Sequence, residues 1–269
     1  MKRVILFRPE LSTNEERIMA KEVFRNNYFE YRSEIPKESL VIARYSTLPF
    51  YEELESELAL NGSRLLNSYR EHMWIASMEW AQPGGVLQDL TPTVYDRWDN
   101  IPEGQYIVKG RLNSRKQQWN QKMFAPNKAS ISEIARALYD DQLIASQGVV
   151  VRPYVQLKSF GTGIGGIPVS NEHRTFWFVD EEDVLCLGEG FYWSNFPEFA
   201  DKASLSEVGF NLAKEAAERI QKSKKATFFA IDVAETEAGG WIVIEVNDGQ
   251  SSGLSNVSAK DFYTNLKWI

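Results

Sequence analysis

The sequence is poor in the residues that most often build zinc centres and covalent cross-links. It has one cysteine, Cys186, and two histidines, His72 and His173, in 269 residues. A single cysteine excludes an internal disulfide and fits a reducing compartment, and so few nitrogen and sulfur ligands argue against zinc. Cys186 lies in the apolar run VLCLG, which predicts a structural thiol rather than a nucleophile.

The chain also lacks a long hydrophobic run and an excess of positive charge. No apolar segment approaches the roughly 20 residues that a membrane-spanning helix needs. The N-terminal MKRVILFRPE has an apolar run of four residues, which predicts a strand rather than a signal peptide. The net charge of −7 argues against indiscriminate binding to nucleic acid or anionic membranes. We therefore expect a soluble, cytoplasmic protein with one large domain or two to three small ones.

The most informative stretch lies between residues 228 and 254. It contains two strand-like segments, FFAIDVA and WIVIEVN, separated by a turn with a Gly-Gly pair, and this pattern predicts a β-hairpin. Strict alternation in the second segment places Glu245 and Asn247 on the face of Trp241 and Val243, with the isoleucines on the opposite face.

Asp232 lies thirteen residues before Glu245 and comes beside it if the two strands pair. Two carboxylates and the amide oxygen of Asn247 are hard ligands that suit Mg²⁺. The DGQSSG segment that follows offers backbone N–H groups and hydroxyls to an anion. These residues alone would also fit an ordinary amphipathic hairpin with exposed acids.

This hairpin resembles the metal-binding hairpin of ATP-grasp enzymes. The IDVA segment, the thirteen-residue step to EVN and the Gly/Ser loop are similar in spacing to the D-alanine–D-alanine ligase branch of that family. The resemblance implies that Asp232, Glu245 and Asn247 bind two Mg²⁺ ions that bridge the phosphates of ATP.

Residues 1–88 show a βαβα pattern. Strands are predicted at residues 4–7 and 40–45, and helices begin at capping boxes that start with Ser12 and Ser68. This order predicts a small parallel α/β unit, and no Gly-rich phosphate loop follows its first strand. The resemblance implies the N-terminal domain that precedes the nucleotide-binding part of ATP-grasp proteins and often helps to hold the second substrate.

Residues 89–155 are assigned to the central ATP-grasp subdomain. YIVK predicts a strand that ends at Lys109, which the resemblance makes the ATP-binding lysine. Arg111, Arg115 and Lys116 follow where the family keeps a flexible lid over the phosphates, although this segment lacks the usual richness in glycine and serine. The resemblance assigns both arginines to ATP binding.

A basic island covers residues 109–128. Six basic residues and no acid lie between residues 104 and 132, and such an island attracts a triphosphate or a nucleic acid. Trp119 and Phe124 lie within it, so a single-strand binding surface with base stacking stays open as an alternative, as does a solvated basic face.

The run GVVVRPYVQLKSF is interrupted at Arg152-Pro153. Proline lacks an N–H, so it requires an edge, a bulge or a turn. In ATP-grasp proteins this place is the hinge where backbone groups bind adenine, and the resemblance assigns that role to Pro153, Tyr154 and Val155.

Residues 156–269 are assigned to the C-terminal ATP-grasp subdomain. The segment GTGIGG matches GxGxxG, but Ile167-Pro168-Val169 follows instead of a helix, so we interpret it as a flexible loop. EHRTF resembles the E-x-R-x-F strand of ATP-grasp enzymes, which implies that Arg174 contacts the transferred phosphoryl group. Taken alone, Arg174 fits an ion pair with Glu172 or Asp183.

Two further capping boxes predict helices in these regions. One begins at Ser130 and is predicted to reach about residue 145, and the other begins at Ser204 and is predicted to reach about residue 222. The apolar periodicity of the second helix predicts a buried stripe that includes Val208 and Ile220.

The lysine strand, hinge, arginine strand and metal hairpin follow the family's order over roughly residues 90–255. The details are similar to the R2K clade, named for two arginines and a lysine and often found in phage and bacterial genomes. Arg152, Arg174 and Lys109 are the matching residues, and the resemblance assigns them to catalysis. It also implies an α/β (α+β) ATP-grasp fold, in which a small N-terminal α/β domain precedes two subdomains that clasp ATP.

The resemblance implies an ATP- and Mg²⁺-dependent carboxylate–amine ligase. Such an enzyme activates a substrate carboxylate as an acyl-phosphate and joins it to an amine, releasing ADP and phosphate. The expected substrates are small molecules or peptides, and no membrane partner is expected. Two other functions stay open: a nucleic-acid-binding or RNA-processing protein that uses residues 109–128, and a non-catalytic nucleotide-binding module.

Overall fold

The computed structural model describes residues 1–10, 14–111 and 114–269. Its α-helices are α1 (Glu15–Phe24), α2 (Tyr51–Ala59), α3 (Tyr69–Ala76), α4 (Trp119–Lys122), α5 (Ile131–Tyr139), α6 (Gln142–Gln147), α7 (Glu207–Ser223) and α8 (Ala259–Trp268). Its strands are β1 (Lys2–Leu6), β2 (Tyr28–Phe29), β3 (Ser39–Ala43), β4 (Arg64–Leu65), β5 (Tyr106–Gly110), β6 (Phe124–Ala125), β7 (Val149–Pro153), β8 (Ser159–Thr162), β9 (Pro168–Ser170), β10 (Glu172–Val179), β11 (Val184–Phe191), β12 (Phe228–Glu235) and β13 (Trp241–Asp248). Among these residues, no helix has the length and apolar character needed to cross a membrane.

The N-terminal strands form a parallel sheet in the order β2-β1-β3-β4. The predicted parallel α/β unit is therefore confirmed. The helix α1 is capped by Asn14, whose side chain accepts a hydrogen bond from the Arg17 N–H at 3.0 Å, while the predicted capping residue Ser12 lies outside the described residues.

The predicted capping box at the start of α3 is present. The Ser68 hydroxyl accepts a hydrogen bond from the Glu71 N–H at 3.2 Å, and the Glu71 carboxylate accepts one from the Ser68 N–H at 2.7 Å. The helix ends at Ala76, because Met78 adopts a left-handed conformation with φ of 57° that an α-helix does not accommodate.

The central strands form an antiparallel sheet in the order β6-β5-β7. The single helix predicted from Ser130 is instead divided into α5 and α6. The Ser130 side chain does not cap α5. Asp141 stands directly before α6, at the position where a helix favours an acidic residue.

The C-terminal strands form an antiparallel sheet in the order β11-β10-β12-β13. The predicted hairpin is the pair β12–β13. The GTGIGG segment lies within the β8–β9 hairpin, where residues 164–166 make a tight turn in which Gly165 has a φ of 72°. A strand follows instead of a helix, so the segment does not have the architecture of a dinucleotide-binding loop.

The helix α7 begins later than predicted. Its N-cap is Ser206, whose hydroxyl accepts from the Gly209 N–H at 3.2 Å, so the capping box at Ser204 is wrong. Val208 is 66% exposed, and the buried stripe runs from Gly209 to Ile220. A side chain at Gly209 would collide with the Trp241 ring, since a Cβ atom at this position would lie 2.6 Å from it, so this close approach of helix and sheet requires glycine.

The C-terminal sheet is covered on both faces. Helix α7 packs on one face, where Trp177, Ile231 and Val246 are buried. The N-terminal unit and α8 cover the other face, where Phe176 and Phe228 are buried beside Phe262. The sheet is thus the central layer of the molecule.

Arg44, directly after β3, ties the N-terminal unit to the segment that follows β13. It is 7% exposed, donates to Glu16 Oε1 at 2.7 Å and to the Ser252 carbonyl at 2.8 Å, and also contacts the Gly249 carbonyl. Its guanidinium lies 5.2 Å from the ring centroid of Phe262. One side chain therefore holds three parts of the chain together.

We predict that Arg44→Ala lowers the free energy of unfolding by about 2–4 kcal/mol, because it leaves the half-buried carboxylate of Glu16 and two carbonyls without their charged partner. Urea denaturation measures this change. Arg64→Ala is the control, since the exposed Arg64 should change stability by less than about 0.5 kcal/mol. Equal effects of the two substitutions would contradict the prediction.

Candidate active site

The register of three strands aligns the charged residues predicted from the sequence. Arg174 on β10 faces Asp232 on β12, and Asp232 faces Glu245 on β13. A β-bulge lies next to this row, because Asp232 pairs with Glu245 whereas Val233 pairs with Val243. Ile244 is the extra residue.

The bulge corrects the predicted alternation of β13. Val243 and Val246 are both buried on the α7 side, while Ile242, Ile244 and Glu245 line a crevice on the other side. The prediction that Glu245 shares a face with Val243 is therefore wrong. An extra residue in one strand reverses the side on which the following residues point.

Arg174 and Asp232 form a two-point ion pair. The Arg174 Nε and Nη2 atoms donate to the two carboxylate oxygens of Asp232, each at 2.8 Å, and Nη1 donates to the Gly253 carbonyl at 2.8 Å. Burial disfavours the charged arginine, but Asp232 outweighs it and raises the pKa of Arg174. The partner of Arg174 is thus Asp232, and neither Glu172 nor Asp183 takes that place.

Lys109 on β5 forms an ion pair with Glu245 on β13, which joins the central sheet to the C-terminal sheet. Burial lowers the pKa of Lys109. Burial would raise the pKa of Glu245, but Lys109, Lys116 and Arg152 together lower it to about 2. Glu245 is therefore a carboxylate at every physiological pH.

The crevice lies between these two sheets. Of the predicted residues, Lys109, Arg152, Pro153, Tyr154 and Val155 all line it. Its remaining wall is largely apolar and includes residues that the sequence did not single out, namely Ile107, Met123, Ile167, Trp193, Ile242 and Ile244. Arg152 also donates to the Ile244 carbonyl, and burial lowers its pKa.

The lid segment brings a different basic residue into the crevice from the two arginines expected there. Lys116 lines the crevice, donates to the Tyr192 hydroxyl at 2.6 Å and lies 4.9 Å from the Trp193 ring centroid. Arg115 pairs with Asp141 and does not line the crevice. Nothing in the sequence distinguishes Lys116 from the other members of the basic island.

Arg111 lies at a second cavity beside the crevice. It donates to Asp96 at 2.7 Å and to the Ser77 carbonyl at 2.6 Å. Lys109 and Glu245 line both spaces, so the crevice and the second cavity meet at this ion pair.

The second cavity has a volume of about 380 Å³. Its polar side includes Arg174, Asn247 and the Ser251–Gly253 segment, and its apolar side comes from the N-terminal unit. The residues of that apolar side are Leu48, Ile75, Ala76 and Met78.

Glu172 is a second site residue that was not among those predicted. It is the first residue of the E-x-R pattern of β10, so its signal was present in the sequence. It lines the crevice and is 4% exposed. Burial raises its pKa to about 7, assisted by Asp232 and Glu245 and opposed by Lys116 and Arg174.

The residues at the row of acids fit Mg²⁺ by their chemistry. Asp232 and Glu245 are adjacent carboxylates, and the Asn247 amide nitrogen donates to Asp232 Oδ2 at 3.3 Å, which leaves the amide oxygen available as a ligand. No group of three His, Cys, Asp or Glu side chains is placed to bind a metal within residues 1–10, 14–111 and 114–269. A metal here would therefore need oxygen ligands from water or a second molecule, as is usual for Mg²⁺.

Comparison with known families decides the classification. Residues 96–266 match the family model described as ATP-grasp domain, R2K clade family 3, and this range is more than half of the chain. The chain belongs to the ATP-grasp superfamily, within the R2K clade. The search of curated protein sequences gave no match.

Solved structures share the fold of this ATP-grasp protein. D-cycloserine synthetase DcsG aligns with a TM-score of 0.59 at 12% identity, covering 99% of each chain. D-alanyl-alanine synthetase A from Vibrio cholerae aligns with a TM-score of 0.56 at 14% identity, covering 96% of this chain and 91% of its own. The ATP-grasp ligase PsnB, complexed with a precursor peptide and AMPPNP, aligns with a TM-score of 0.51 at 9% identity, covering 94% of this chain and 89% of its own.

These comparisons confirm the predicted ATP-grasp fold of the α+β class and the R2K assignment. The three predicted regions and the roles of the individual site residues stay predictions, as does the phage or bacterial origin. At such low identity the structural neighbours establish the fold alone.

The pKa of Glu172 predicts a pH dependence of stability. The folded state holds the Glu172 proton up to about pH 7, whereas the unfolded chain releases it near its ordinary pKa of 4.5. The folded state binds more protons between these values, so this group makes stability fall as pH rises through that window.

We predict that Glu172→Gln removes this pH dependence. Between pH 5 and pH 8 the free energy of unfolding of the variant should therefore rise, relative to that of the wild type, by on the order of 1–3 kcal/mol. Urea denaturation at both pH values measures the difference. Glu182→Gln, in the exposed β10–β11 turn, is the control and should keep the wild-type pH dependence. Parallel pH profiles for wild type and Glu172→Gln would contradict the prediction.

Proposed function

We propose that this protein is an ATP- and Mg²⁺-dependent ligase that joins a carboxylate to an amine through an acyl-phosphate. The observation that carries the proposal is the position of Lys109 and Glu245. These two residues line both the apolar crevice and the polar second cavity. A nucleotide in the crevice and the carboxylate substrate in the second cavity would therefore meet at the Lys109–Glu245 pair.

The crevice has the parts that a nucleotide needs. Apolar residues such as Met123 and Ile242 offer surfaces for the adenine ring, and the Pro153–Val155 segment offers backbone groups. The Tyr154 N–H already donates to the Gln105 carbonyl at 2.8 Å. Within the described residues the Val155 N–H has no hydrogen-bond partner, so it is the hinge donor best suited to adenine.

The cations of the crevice suit a triphosphate. Lys109 and Lys116 would bind phosphate oxygens, and Arg152 would add positive charge at the floor. Arg174, at the edge of the second cavity, would stabilise the charge on the transferred phosphoryl group, since phosphoryl transfer depends mostly on positioning and on electrostatic stabilisation.

Asp232, Glu245 and Asn247 would hold Mg²⁺. ATP-grasp enzymes generally use ATP and Mg²⁺, and when bound the metal neutralises the charge of the phosphates and orients them. The residues of this chain then align the carboxylate oxygen of the acceptor with the terminal phosphorus and exclude water. Attack by this oxygen breaks the bond from the terminal phosphorus to ADP and forms the acyl-phosphate, and an amine then attacks the acyl carbon and displaces phosphate.

The nucleic-acid alternative has little support from the basic island. Arg111 and Arg115 are paired with acids, and Lys116 lies in the crevice. The aromatic side chains that could stack on bases pack on each other, since the Trp119 and Phe124 rings stack with centroids 5.9 Å apart. The island therefore serves the crevice and its surroundings rather than forming one exposed surface.

We predict that Mg-ATP stabilises the protein and that Glu245→Gln abolishes this effect, because the substitution removes a metal ligand. At ~100 times its dissociation constant, a ligand adds about 2.7 kcal/mol to the free energy of unfolding. Thermal denaturation with Mg-ATP, and with ATP plus a chelator, measures it. Glu237→Gln, exposed in the turn of the same hairpin, should respond like the wild type. A full response from Glu245→Gln would refute the metal assignment.

We further predict that Lys116→Met weakens Mg-ATP binding at least about tenfold, because a charge-assisted hydrogen bond contributes about 1.5–3 kcal/mol. Arg115→Met is the matched control from the same segment and should bind within about threefold of wild type, since Arg115 pairs with Asp141 outside the crevice. Isothermal titration calorimetry measures both affinities. The reverse order of effects would show that the lid reaches the phosphates through Arg115.

A further inference from the structure

His72 has no role in the proposed nucleotide site, yet it lines the second cavity with Arg174, Glu245 and Asn247. It projects from α3 of the N-terminal unit and is 3% exposed. Its Nδ1 atom lies 2.9 Å from the Oδ2 atom of Asp248. Asp248 is the last residue of β13, directly after the proposed metal ligand Asn247.

The surroundings of Asp248 determine which nitrogen of His72 carries the proton. Asp248 Oδ1 accepts hydrogen bonds from the Asn67 side-chain amide at 2.7 Å and from the Gln250 N–H at 2.9 Å. An ionised carboxylate accepts hydrogen bonds only, so beside ionised Asp248 the Nδ1 atom of His72 is the donor. The lone pair of the neutral imidazole is then on Nε2.

Nε2 is a buried atom without a hydrogen-bond partner in the described part of the chain. A buried polar atom left unpaired costs about 1–3 kcal/mol, so a donor supplied by a ligand would be favoured here. His173 also has an unpaired ring nitrogen, but it packs beside Phe191 and Trp241 and lines neither cavity. The feature that distinguishes His72 is its place at the cavity.

We propose that His72 is the general base that accepts a proton from the amine substrate and that Asp248 is its positioning residue. This inference rests on the proposed ligase function. The carboxylates of Asp232 and Glu245 are engaged by Arg174 and Lys109, whereas His72, which also lines the second cavity, keeps a ring nitrogen without a hydrogen-bond partner.

Protons and electrons balance in this step for an amine that arrives as an ammonium ion. His72 Nε2 accepts one proton, and the freed lone pair of the nitrogen forms the C–N bond with the acyl carbon. The C–O bond to phosphate breaks, and its electron pair leaves with the phosphate. A second proton of the nitrogen leaves with the phosphate as hydrogen phosphate, and His72 returns its proton to solvent.

Two kinds of nucleophile distinguish a general base from a structural residue. Hydroxylamine is largely unprotonated at neutral pH and needs no base, whereas ammonium and the amino group of an amino acid must first lose a proton. The proteinogenic amino acids and their D-forms serve as carboxylates with Mg-ATP. The acyl group is offered to hydroxylamine, to ammonium chloride or to a second amino acid, and hydroxamate and phosphate are measured.

The variant His72→Asn keeps a donor near Asp248 and removes the basic nitrogen. We expect it to lose about 100-fold or more of the transfer to ammonium or amino acids and to keep transfer to hydroxylamine within about threefold of wild type. His173→Asn is the control for the loss of a buried histidine and should keep both reactions. Urea denaturation checks folding, and His72→Gln replaces His72→Asn if the latter unfolds.

Four results would overturn the inference. Equal losses with both kinds of nucleophile would assign His72 a structural or binding role, and full amine transfer in the folded variant would exclude a base. If the wild type transferred the acyl group to hydroxylamine but to no amine, there would be no amine proton for His72 to accept. If the wild type makes no hydroxamate from any carboxylate, the ligase function fails first, and the inference fails with it.

Discussion

The register between β10, β12 and β13 is the constraint on which the candidate active site depends. It places Arg174, Asp232 and Glu245 in one row across three strands. The β-bulge at Ile244 then turns Glu245 toward Lys109 on the other sheet. A slip of one residue would point the row into the packed core under α7, where unpaired charges cost several kcal/mol. Burial of the apolar residues under α7 therefore fixes the strand register, and the register fixes the positions of the charged residues on the opposite face.

The charges in this row are balanced within the protein. Arg174 neutralises Asp232, and Lys109 neutralises Glu245. A triphosphate with Mg²⁺ carries both signs, so each ion pair can exchange partners without leaving a buried charge unpaired: phosphate oxygens take the cations, and the metal takes the carboxylates. Because Lys109 and Glu245 belong to different sheets, this exchange would couple nucleotide binding to the contact between the sheets.

The sequence predicted the capping box of α3 and the β12–β13 hairpin correctly, because both depend on patterns between residues close together in the sequence. The Ser68 capping box and the thirteen-residue step from Asp232 to Glu245 are examples. It failed at the bulge of Ile244, since alternation assumes a regular ladder and the extra residue is set by pairing with β12. It failed at Val208 for a related reason: the approach of Trp241 to Gly209, rather than apolar periodicity, decides which face of α7 is buried.

Contacts over long sequence distances explain why other site residues were missed. Lys116 and His72 gain their surroundings from residues far away in the chain, as His72 does from Asp248, 176 positions later. The N-terminal unit is fixed to the C-terminal sheet by Asn67, which hydrogen-bonds both the N–H and the carbonyl of Phe228.

This attachment has a consequence for how the site opens. The N-terminal unit cannot move from β12 without breaking backbone-directed bonds that are buried and have no substitute. The central sheet is held at the crevice by the Lys109–Glu245 pair and by the bond from Arg152 to the Ile244 carbonyl, and a bound nucleotide offers replacements for both cations. The crevice should therefore open by movement of the central sheet. This movement also opens the side of the second cavity that Lys109 and Arg111 line, while the walls from the N-terminal unit and β13 stay together.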